Sequence, residues 1–505
     1  MDKQGPADSS ASCSAECPES FFAGCHKVSL GEVLALREER ARRQQELATY
    51  GLVRYGHAEH DLAGHGPSLA CLCLNIPGEY KDFPWARRSF REERRIFTLA
   101  LKGEGIEILH DEPVETKAGY TGYLLADAPP ETVKAMARRI EDTHSLGRLF
   151  DIDVLTPAGT ELRKLSRSDE GDPPRPCLVC GGNGFACARS RAHPPEELSA
   201  AVLNIMAKWL REKLADTVSS AAVRSLTGEI AVTPKPGLVD RANSGAHRDM
   251  DFFSFIDSTA AILPYFRDCA SAGFESARPE SARPESARDP IALFESLRPK
   301  GKIAEVLMRE ASGGANTHRG AIFSMGILSA AYGRLYRDEE KPELSKLMEL
   351  CRAMTSRLGE DFSDGKALPG ASHGEMVYRQ NGIPGIRGEV SRGFPTVCSY
   401  SLPTLRRSLA EGHSMNDAGI AALLCLLAHT DDTNIIHRSN LETLRRIQRD
   451  LGAFLESNPG IEELREKAAA LDRDFIARNI SPGGCADLLA FTLFLHALDT
   501  NGVHS

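Results

Sequence analysis

The chain has 505 residues, 42% of them hydrophobic and 26% charged, and a formal net charge of −9. That length accommodates two or three domains with ample core, and the acidic balance excludes broad electrostatic binding of nucleic acid while leaving room for a local basic pocket. No apolar run reaches the roughly 18 residues of a transmembrane helix, and the polar N-terminus lacks a signal-peptide core. Its 13 cysteines read as reduced thiols of a cytoplasmic enzyme rather than a disulfide framework.

Residues 1–26 read as a disordered polar tail. Leu30, Val33, Leu34, Leu36 and Leu47 form the apolar stripe of a helix over 29–51, with Gly51 as its stop. The apolar run 69–78 ends in Pro-Gly and predicts a buried strand entering a turn. A helix over 131–144 and a strand over 147–159 follow. This mixture predicts an α+β domain over 27–195. Beyond it, Ala/Leu-rich helices are expected over 194–226, 320–338, 416–430 and 486–500, with no alternating strand after residue 200. The second domain, 196–505, therefore reads as all-α. Within it, a tandem repeat of Glu-Ser-Ala-Arg-Pro over 275–289 has too few apolar side chains to bury, and reads as a surface loop.

Two clusters carry chemistry in the first domain. Asp151 and Asp153 stand at i and i+2 on a predicted strand, so both point to one face and suit a hard cation such as Mg²⁺ against phosphates. Two solvated aspartates at a strand end are the alternative. Arg148 just upstream suits a phosphate clamp, and Lys81 ends the Gly-Pro loop 75–81. Cys177, Cys180, Cys187 and His193 offer three thiolates and an imidazole for a structural Zn²⁺. The second half of that set is looser than usual zinc-ribbon spacing, and free cysteines are the competing reading.

In the second domain, "TPKPGLVDRANSGAHRDMD" (233–251) crowds charges ahead of an apolar helix. Lys235 sits between two prolines, a stiff mount for a cation aimed at phosphate. His247, Asp249 and Asp251 suit metal ligation or acid–base work, with an N-cap as the plain alternative for an aspartate. Four more polar loops accompany it: 313–326 with Asn316 and His318, 385–397 with Arg387 and Glu389, 429–438 with Asp431, Asp432 and Asn434, and 479–490. Gathered at one end of the helices, such loops make a polar pocket, and helix N-termini favour phosphate there. Asp431 and Asp432 offer oxygens to Mg²⁺, or simply end a helix.

"NIPGEYKDF", "TGYLLA", "EDTHSLGRLFDIDVL" and "CLVCGGNGFACARSRAH" make residues 27–193 resemble apo-citrate lyase phosphoribosyl-dephospho-CoA transferase, the holo-citrate lyase synthase. Ser145 departs from the proline of that pattern. "GEIAVTPKPGLVDRANSGAHRDMD" and the other four loops make 197–505 similar to triphosphoribosyl-dephospho-CoA synthase. Together the resemblances imply a bifunctional transferase. Its C-terminal domain would join ATP and 3′-dephospho-CoA with release of adenine. Its N-terminal domain, nucleotidyltransferase-like, would load the product on a serine of the apo acyl-carrier (gamma) subunit of citrate lyase and release pyrophosphate. They further imply Mg²⁺ at Asp151 and Asp153, with Arg148 and Lys81 on the phosphates. In the second domain they imply triphosphate at Lys235, Arg241 and Arg248, further substrate contacts at His247, Asn316, His318, Arg387 and Asn434, and Mg²⁺ at Asp249/Asp251 or Asp431/Asp432. Glu389 or a carboxylate of that set would activate the attacking hydroxyl. Two rival readings are maturation of malonate decarboxylase with a zinc-binding docking domain, and an ADP-ribosyl hydrolase, suggested by Asp-Asp-Thr at 431–433.

Overall fold

The computed structural model describes residues 18–55, 67–158, 161–167, 171, 173–277, 289–358 and 373–500. The chain divides into two compact units, with the boundary between Leu210 and Arg211.

The first unit is built on one antiparallel sheet of β1 (Ser68–Leu74), β2 (Ile108–Thr116), β3 (Gly119–Ala126), β4 (Phe150–Ala158) and β5 (Glu161–Lys164), in the order β2-β3-β1-β4-β5. The apolar run of β1 puts it at the centre, buried along nearly its whole length. The edge strand β2 was not legible: it carries Pro113 among charged residues, and an edge tolerates both because its outer N–H groups pair with no strand. Among the described residues five helices lie wholly in this unit: α1 (Pro18–Phe21), α2 (Leu30–Tyr55), α3 (Pro84–Gly103), α4 (Pro130–Thr143) and α5 (Gly184–Ser190). Leu47 and Ala48 of α2 pack on the sheet face that carries Cys71, Cys73 and Tyr123. On the opposite face Arg94 of α3 lies 3.2 Å from where a Cβ on Gly122 would stand. The arginine-rich sequence of α3 hides a core stripe of Trp85, Phe90, Phe97 and Leu101, all at most 1% exposed.

Residues 18–26 depart from the expected disordered tail. Phe22 is buried and stacks on Tyr80 with ring centroids 4.5 Å apart, and Phe21 meets Trp85 at 4.6 Å. Two adjacent aromatics bury enough surface to order a short polar segment. Residues 1–17 lie outside the described residues.

A long helix, α6 (Pro195–Ala231), contains the boundary. The second unit continues with α7 (Phe252–Ser276), α8 (Pro290–Ala311), α9 (Arg319–Tyr336), α10 (Leu344–Met354), α11 (His373–Asn381) and α12 (Gly385–Ser391). A π turn (Val397–Ser401) leads into α13 (Leu402–Ala410), followed by α14 (Met415–His429), α15 (Thr433–Arg438), α16 (Leu441–Glu456), α17 (Ile461–Ala477) and α18 (Gly483–Thr500). Among the described residues no strand follows Lys164. The apolar helices α14 and α18 are buried on all sides and form the centre of this unit. Gly273 and Gly333 let α7 and α9 meet backbone to backbone, since a Cβ on either would stand about 2 Å from a carbonyl oxygen of the other helix. The ends of the low-complexity segment belong to helices: α7 runs to Ser276, and Asp289 caps α8 by accepting from the Ile291 amide at 2.9 Å. Residues 278–288 lie outside the described residues. No described helix is long and apolar enough to cross a membrane.

Candidate functional site

In the first unit the register sets Asp151 opposite Cys73 and Asp153 opposite Cys71, so both carboxylates share one sheet face, as their spacing predicts. Asp153 is ion-paired with Lys164. Burial, and then the charge of Asp151, raise its pKa. Asp151 lines a cavity of about 240 Å³ together with Lys81, Asn75, Tyr120 and two residues missed from sequence, Arg37 and Arg40. The Lys81 ammonium donates to the Ile76 carbonyl, and burial followed by the Arg37 charge lowers its pKa. Arg40 Nη1 lies 3.2 Å from Cys73 Sγ. One carboxylate facing three cations suits a metal–polyphosphate ligand. The missed signal was local: Arg37 and Arg40 stand one turn from Val33 and Leu36 on the inward face of an amphipathic helix. Behind β4, Glu93 is fully buried, and its Oε1 accepts from the Asp151 amide at 3.3 Å. Burial and the neighbouring Cys73 raise its pKa well above the carboxylate range.

The donor atoms of Cys177, Cys180, Cys187 and His193 all lie within 4.8 Å of one another. Cys180 and Cys187 Sγ are 3.6 Å apart, close to the ~3.8 Å edge of a tetrahedron with 2.3 Å Zn–S bonds. Backbone N–H groups of Cys180 and Val179 pull the Cys177 pKa down to about 6, which favours a thiolate at neutral pH. The Cys180 hydrogen bond pushes Cys187 up to about 11. Asn183 caps α5 through the Ala186 amide at 3.0 Å and so orients Cys187. His193 Nε2 is buried without a partner, while its Nδ1 sits 3.5 Å from Glu197. An imidazole with one nitrogen against a carboxylate and the other vacant is the usual posture of a metal-bound histidine. The residues fit a closed zinc site. Arg148 lies beside it: its Nη2 donates to the Pro176 carbonyl and its Nη1 is buried with no partner.

In the second unit the 233–251 loop is folded around Asp240, which accepts from the amides of Lys235 (3.0 Å), Ala242 (2.7 Å) and Asn243 (3.0 Å). Asp472 of α17 holds it from outside, at 2.9 Å from the Gly237 amide and 3.2 Å from Asn243 Nδ2. Gly237 has φ +67°, and a Cβ there would stand 2.2 Å from the Ile480 carbonyl. The loop is therefore a rigid wall. It encloses a cavity of about 360 Å³ lined by six of the sequence-predicted residues: Lys235, His247, Asp249, Asn316, His318 and Asn434.

The other predicted residues do not line that cavity. Asp251 is exposed and caps α7, accepting from the Ser254 amide at 2.9 Å. Asp432 is buried as a double cap, with Oδ1 on the Asn434 and Ile435 amides and Oδ2 on the Cys485 amide. Asp431 is half-buried and pairs with Arg445 at 2.7 Å. Neither Asp249/Asp251 nor Asp431/Asp432 presents two vacant carboxylates to one cation. Glu389 accepts from Thr396 Oγ1 at 2.8 Å and ties its own helix to the next turn. Arg241 donates to Asn416 at 3.0 Å, Arg248 is exposed and Arg387 lies half-buried in α12.

Sequence reasoning missed the deepest groups. Glu229, at the end of α6, forms a buried ion pair with Lys235. Asp487 of α18 accepts from the Ala321 amide at 3.0 Å and lies against Gly320, where a Cβ would stand 1.9 Å from its Oδ2. Burial and the nearby Glu229 raise Asp487 well above the carboxylate range. Arg319, Arg438, Ser481, Thr317 and His437 complete the polar lining. Asp487 stands inside a run that reads as ordinary helix and Glu229 just past the end of another, so only packing brings them together.

His247 bonds Ser481 Oγ at 2.8 Å, and burial with Arg438 lowers its pKa to about 4. His318 bonds Thr259 Oγ1 at 3.0 Å, and burial lowers it to about 4 as well. Both are neutral at pH 7. Because the folded-state pKa is depressed, the unfolded chain takes up the proton first as pH falls below about 6.5. Stability present at neutral pH is therefore lost toward pH 4. For His318 the loss is roughly 2 kcal/mol by pH 5. Urea midpoints at pH 7 and pH 5 check this: His318→Gln shows a smaller fall than the unaltered protein, and equal falls contradict it.

Two family models match the chain. Residues 28–209 match apo-citrate lyase phosphoribosyl-dephospho-CoA transferase, and 215–504 match ATP:dephospho-CoA triphosphoribosyl transferase. Protein CitXG of Haemophilus influenzae is 30% identical over 481 residues, which are 93% of this chain and 96% of that protein. Protein CitXG of Leuconostoc mesenteroides is 29% identical over 496 residues, 95% of this chain and 99% of that protein. The 2-(5''-triphosphoribosyl)-3'-dephosphocoenzyme-A synthase of Klebsiella pneumoniae is 40% identical over 292 residues, 56% of this chain and 91% of that protein. With both models in one polypeptide and alignments that run nearly end to end, the chain belongs to the CitXG family of fused transferases, an apo-citrate lyase phosphoribosyl-dephospho-CoA transferase followed by an ATP:dephospho-CoA triphosphoribosyl transferase.

Proposed function

We propose that the two units catalyse consecutive steps: the second makes 2′-(5″-triphosphoribosyl)-3′-dephospho-CoA from ATP and 3′-dephospho-CoA, and the first transfers it to a serine of the apo acyl-carrier subunit of citrate lyase. The observation that carries this reading is that each family-matched segment holds its own cavity where carboxylates meet cations.

In the second unit the 2′-hydroxyl of dephospho-CoA attacks C1 of the ATP ribose. The new C–O bond forms as the bond to adenine breaks. Lys235, Arg319 and Arg438 hold the triphosphate. Asp249, exposed at the rim, takes the hydroxyl proton. Asp487, kept protonated by burial, gives a proton to the departing adenine, so the two carboxyls divide the acid and base roles as in glycoside hydrolysis.

The first unit works as a nucleotidyltransferase-like domain. Arg37, Arg40 and Lys81 hold the triphosphate of the donor, and Asp151 is the residue that would hold Mg²⁺, with Asp153 joining it only on release from Lys164. A cation there would offset charge on the departing pyrophosphate. Zinc at Cys177, Cys180, Cys187 and His193 is structural. Purified protein is expected to carry about one zinc per chain, and Cys180→Ser with Cys187→Ser to lose it together with thermal stability. Metal analysis that finds no zinc in protein purified without chelators contradicts that assignment.

Adenine release tests the first step. The protein with ATP and Mg²⁺ is expected to release adenine only when dephospho-CoA is added. Release of ADP-ribose from an ADP-ribosylated substrate, with none of adenine, would overturn the reading.

A further inference from the structure

A mostly apolar recess of the first unit has no part in the chemistry above. It is a cavity of about 670 Å³ bounded by Pro77, Leu178, Phe185, Ala188, Leu198 and the Cys177–Cys187 wall. Asn75 lines both this cavity and the polar one that holds Asp151, Lys81, Arg37 and Arg40. The two therefore meet at Asn75, the first lined mostly by apolar side chains with Arg148, Arg175 and Arg191 among them, the second mostly by polar and charged ones. Arg148 stands on the apolar side with its Nη1 buried and unpartnered. Burial, with Arg175 and Arg167 close by, lowers its pKa, and the charges of Cys177 and Glu141 offset that only in part. Arg175 is itself spent on the Phe150 and Gly147 carbonyls, each at 2.7 Å. A buried guanidinium N–H without an acceptor is a costly arrangement that a bound phosphate oxygen relieves.

We infer that this recess binds the pantetheine arm of the donor, with the diphosphate of its dephospho-CoA half on Arg148 and its triphosphate in the polar cavity. The inference rests on the transfer reading for this unit. The donor has a matching order of groups: a triphosphate, two sugars with a base, a diphosphate, and an uncharged arm of methyl and methylene groups with two amides. The arm lies along Leu178, Leu198 and Phe185. The side chain of Phe185 is exposed and unusually placed for a residue with only structural duties, at 72% exposure on the first turn of α5. The zinc-site segment thereby acquires a use: it fixes Leu178 and Phe185 as one wall of the recess. A segment of the acyl carrier is the rival occupant.

The experiment compares two donors on the full chain with apo carrier: the complete donor, and one cut back to the adenosine 5′-diphosphate so that it keeps both phosphates and lacks only the pantetheine arm. The complete protein is expected to show a KM at least about 10-fold lower for the complete donor. Phe185→Ala and Leu198→Arg are expected to raise that KM toward the truncated donor's value. They should leave unchanged the KM for the truncated donor, the KM for the carrier and kcat at saturation. Phe185→Ala removes an exposed ring and keeps the test valid if Leu198→Arg misfolds. Equal KM values for the two donors in the unaltered protein overturn the inference, and so do variants that raise the KM for carrier instead. No transfer from either donor fails the underlying transfer reading, which is a separable result.

Discussion

Asp151→Asn abolishes loading of the acyl carrier while adenine release from ATP and dephospho-CoA continues at its original rate. Asp151 is the carboxylate of the pair that reaches the polar cavity, whereas Asp153 is occupied by Lys164. An amide keeps the shape and removes the charge. Losing a ligand to the cation that offsets pyrophosphate charge costs on the order of 10²–10⁴ in rate. The fused chain supplies its own control, because adenine release reports on a folded second unit in the same polypeptide. Transfer within about 3-fold of the unaltered protein would remove Asp151 from the mechanism.

Asp487→Asn has the converse effect: adenine release falls by about 10²–10⁴ and transfer of preformed donor is unaffected. The amide still accepts from the Ala321 amide, so α18 and α9 keep their contact. What is lost is the proton for the leaving base. The pH profile separates this role from mere positioning. Burial and Glu229 raise the Asp487 pKa, so the reactive form is the protonated one and adenine release declines as pH rises through that raised value. In Asp487→Asn that alkaline limb is gone. A variant that keeps the limb, or keeps the rate, assigns the proton elsewhere.

The parts of the fold legible in sequence were those where one local pattern decides. β1 is an apolar run ending in a turn, β4 a strand between turn signals, and α6, α9, α14 and α18 are long helices at the expected places. The carboxylates of β4 were legible for the same reason, since a two-residue spacing on a strand fixes their common face. The Cys/His set was legible as composition, and its loose spacing is absorbed by α5, which turns Cys187 back toward Cys180. Edge strand β2 and helix α3 were hidden because their charges mask a half-buried pattern.

The second cavity was legible as a place and less so as a set of residues. Its loops were found, but Asp251, Asp432 and Asp431 are spent on caps and a surface ion pair. A capping aspartate and a catalytic one share the same local sequence, with glycine, asparagine and threonine around them. Only the partners of their oxygens tell them apart. Glu229 and Asp487 stand in helices more than 250 residues apart in the chain, on segments whose pattern says core. Their function follows from burial side by side, which no window of sequence contains.

Intact mass of the acyl carrier tests the central claim most directly. Purified protein is mixed with ATP, 3′-dephospho-CoA, Mg²⁺ and apo acyl-carrier subunit, and the carrier is followed by mass spectrometry. The account predicts a gain equal to one phosphoribosyl-dephospho-CoA group on a serine, with adenine and pyrophosphate released in equal amounts, and no gain when either nucleotide is left out. An unmodified carrier in the complete mixture, or a gain that does not require ATP, would contradict it.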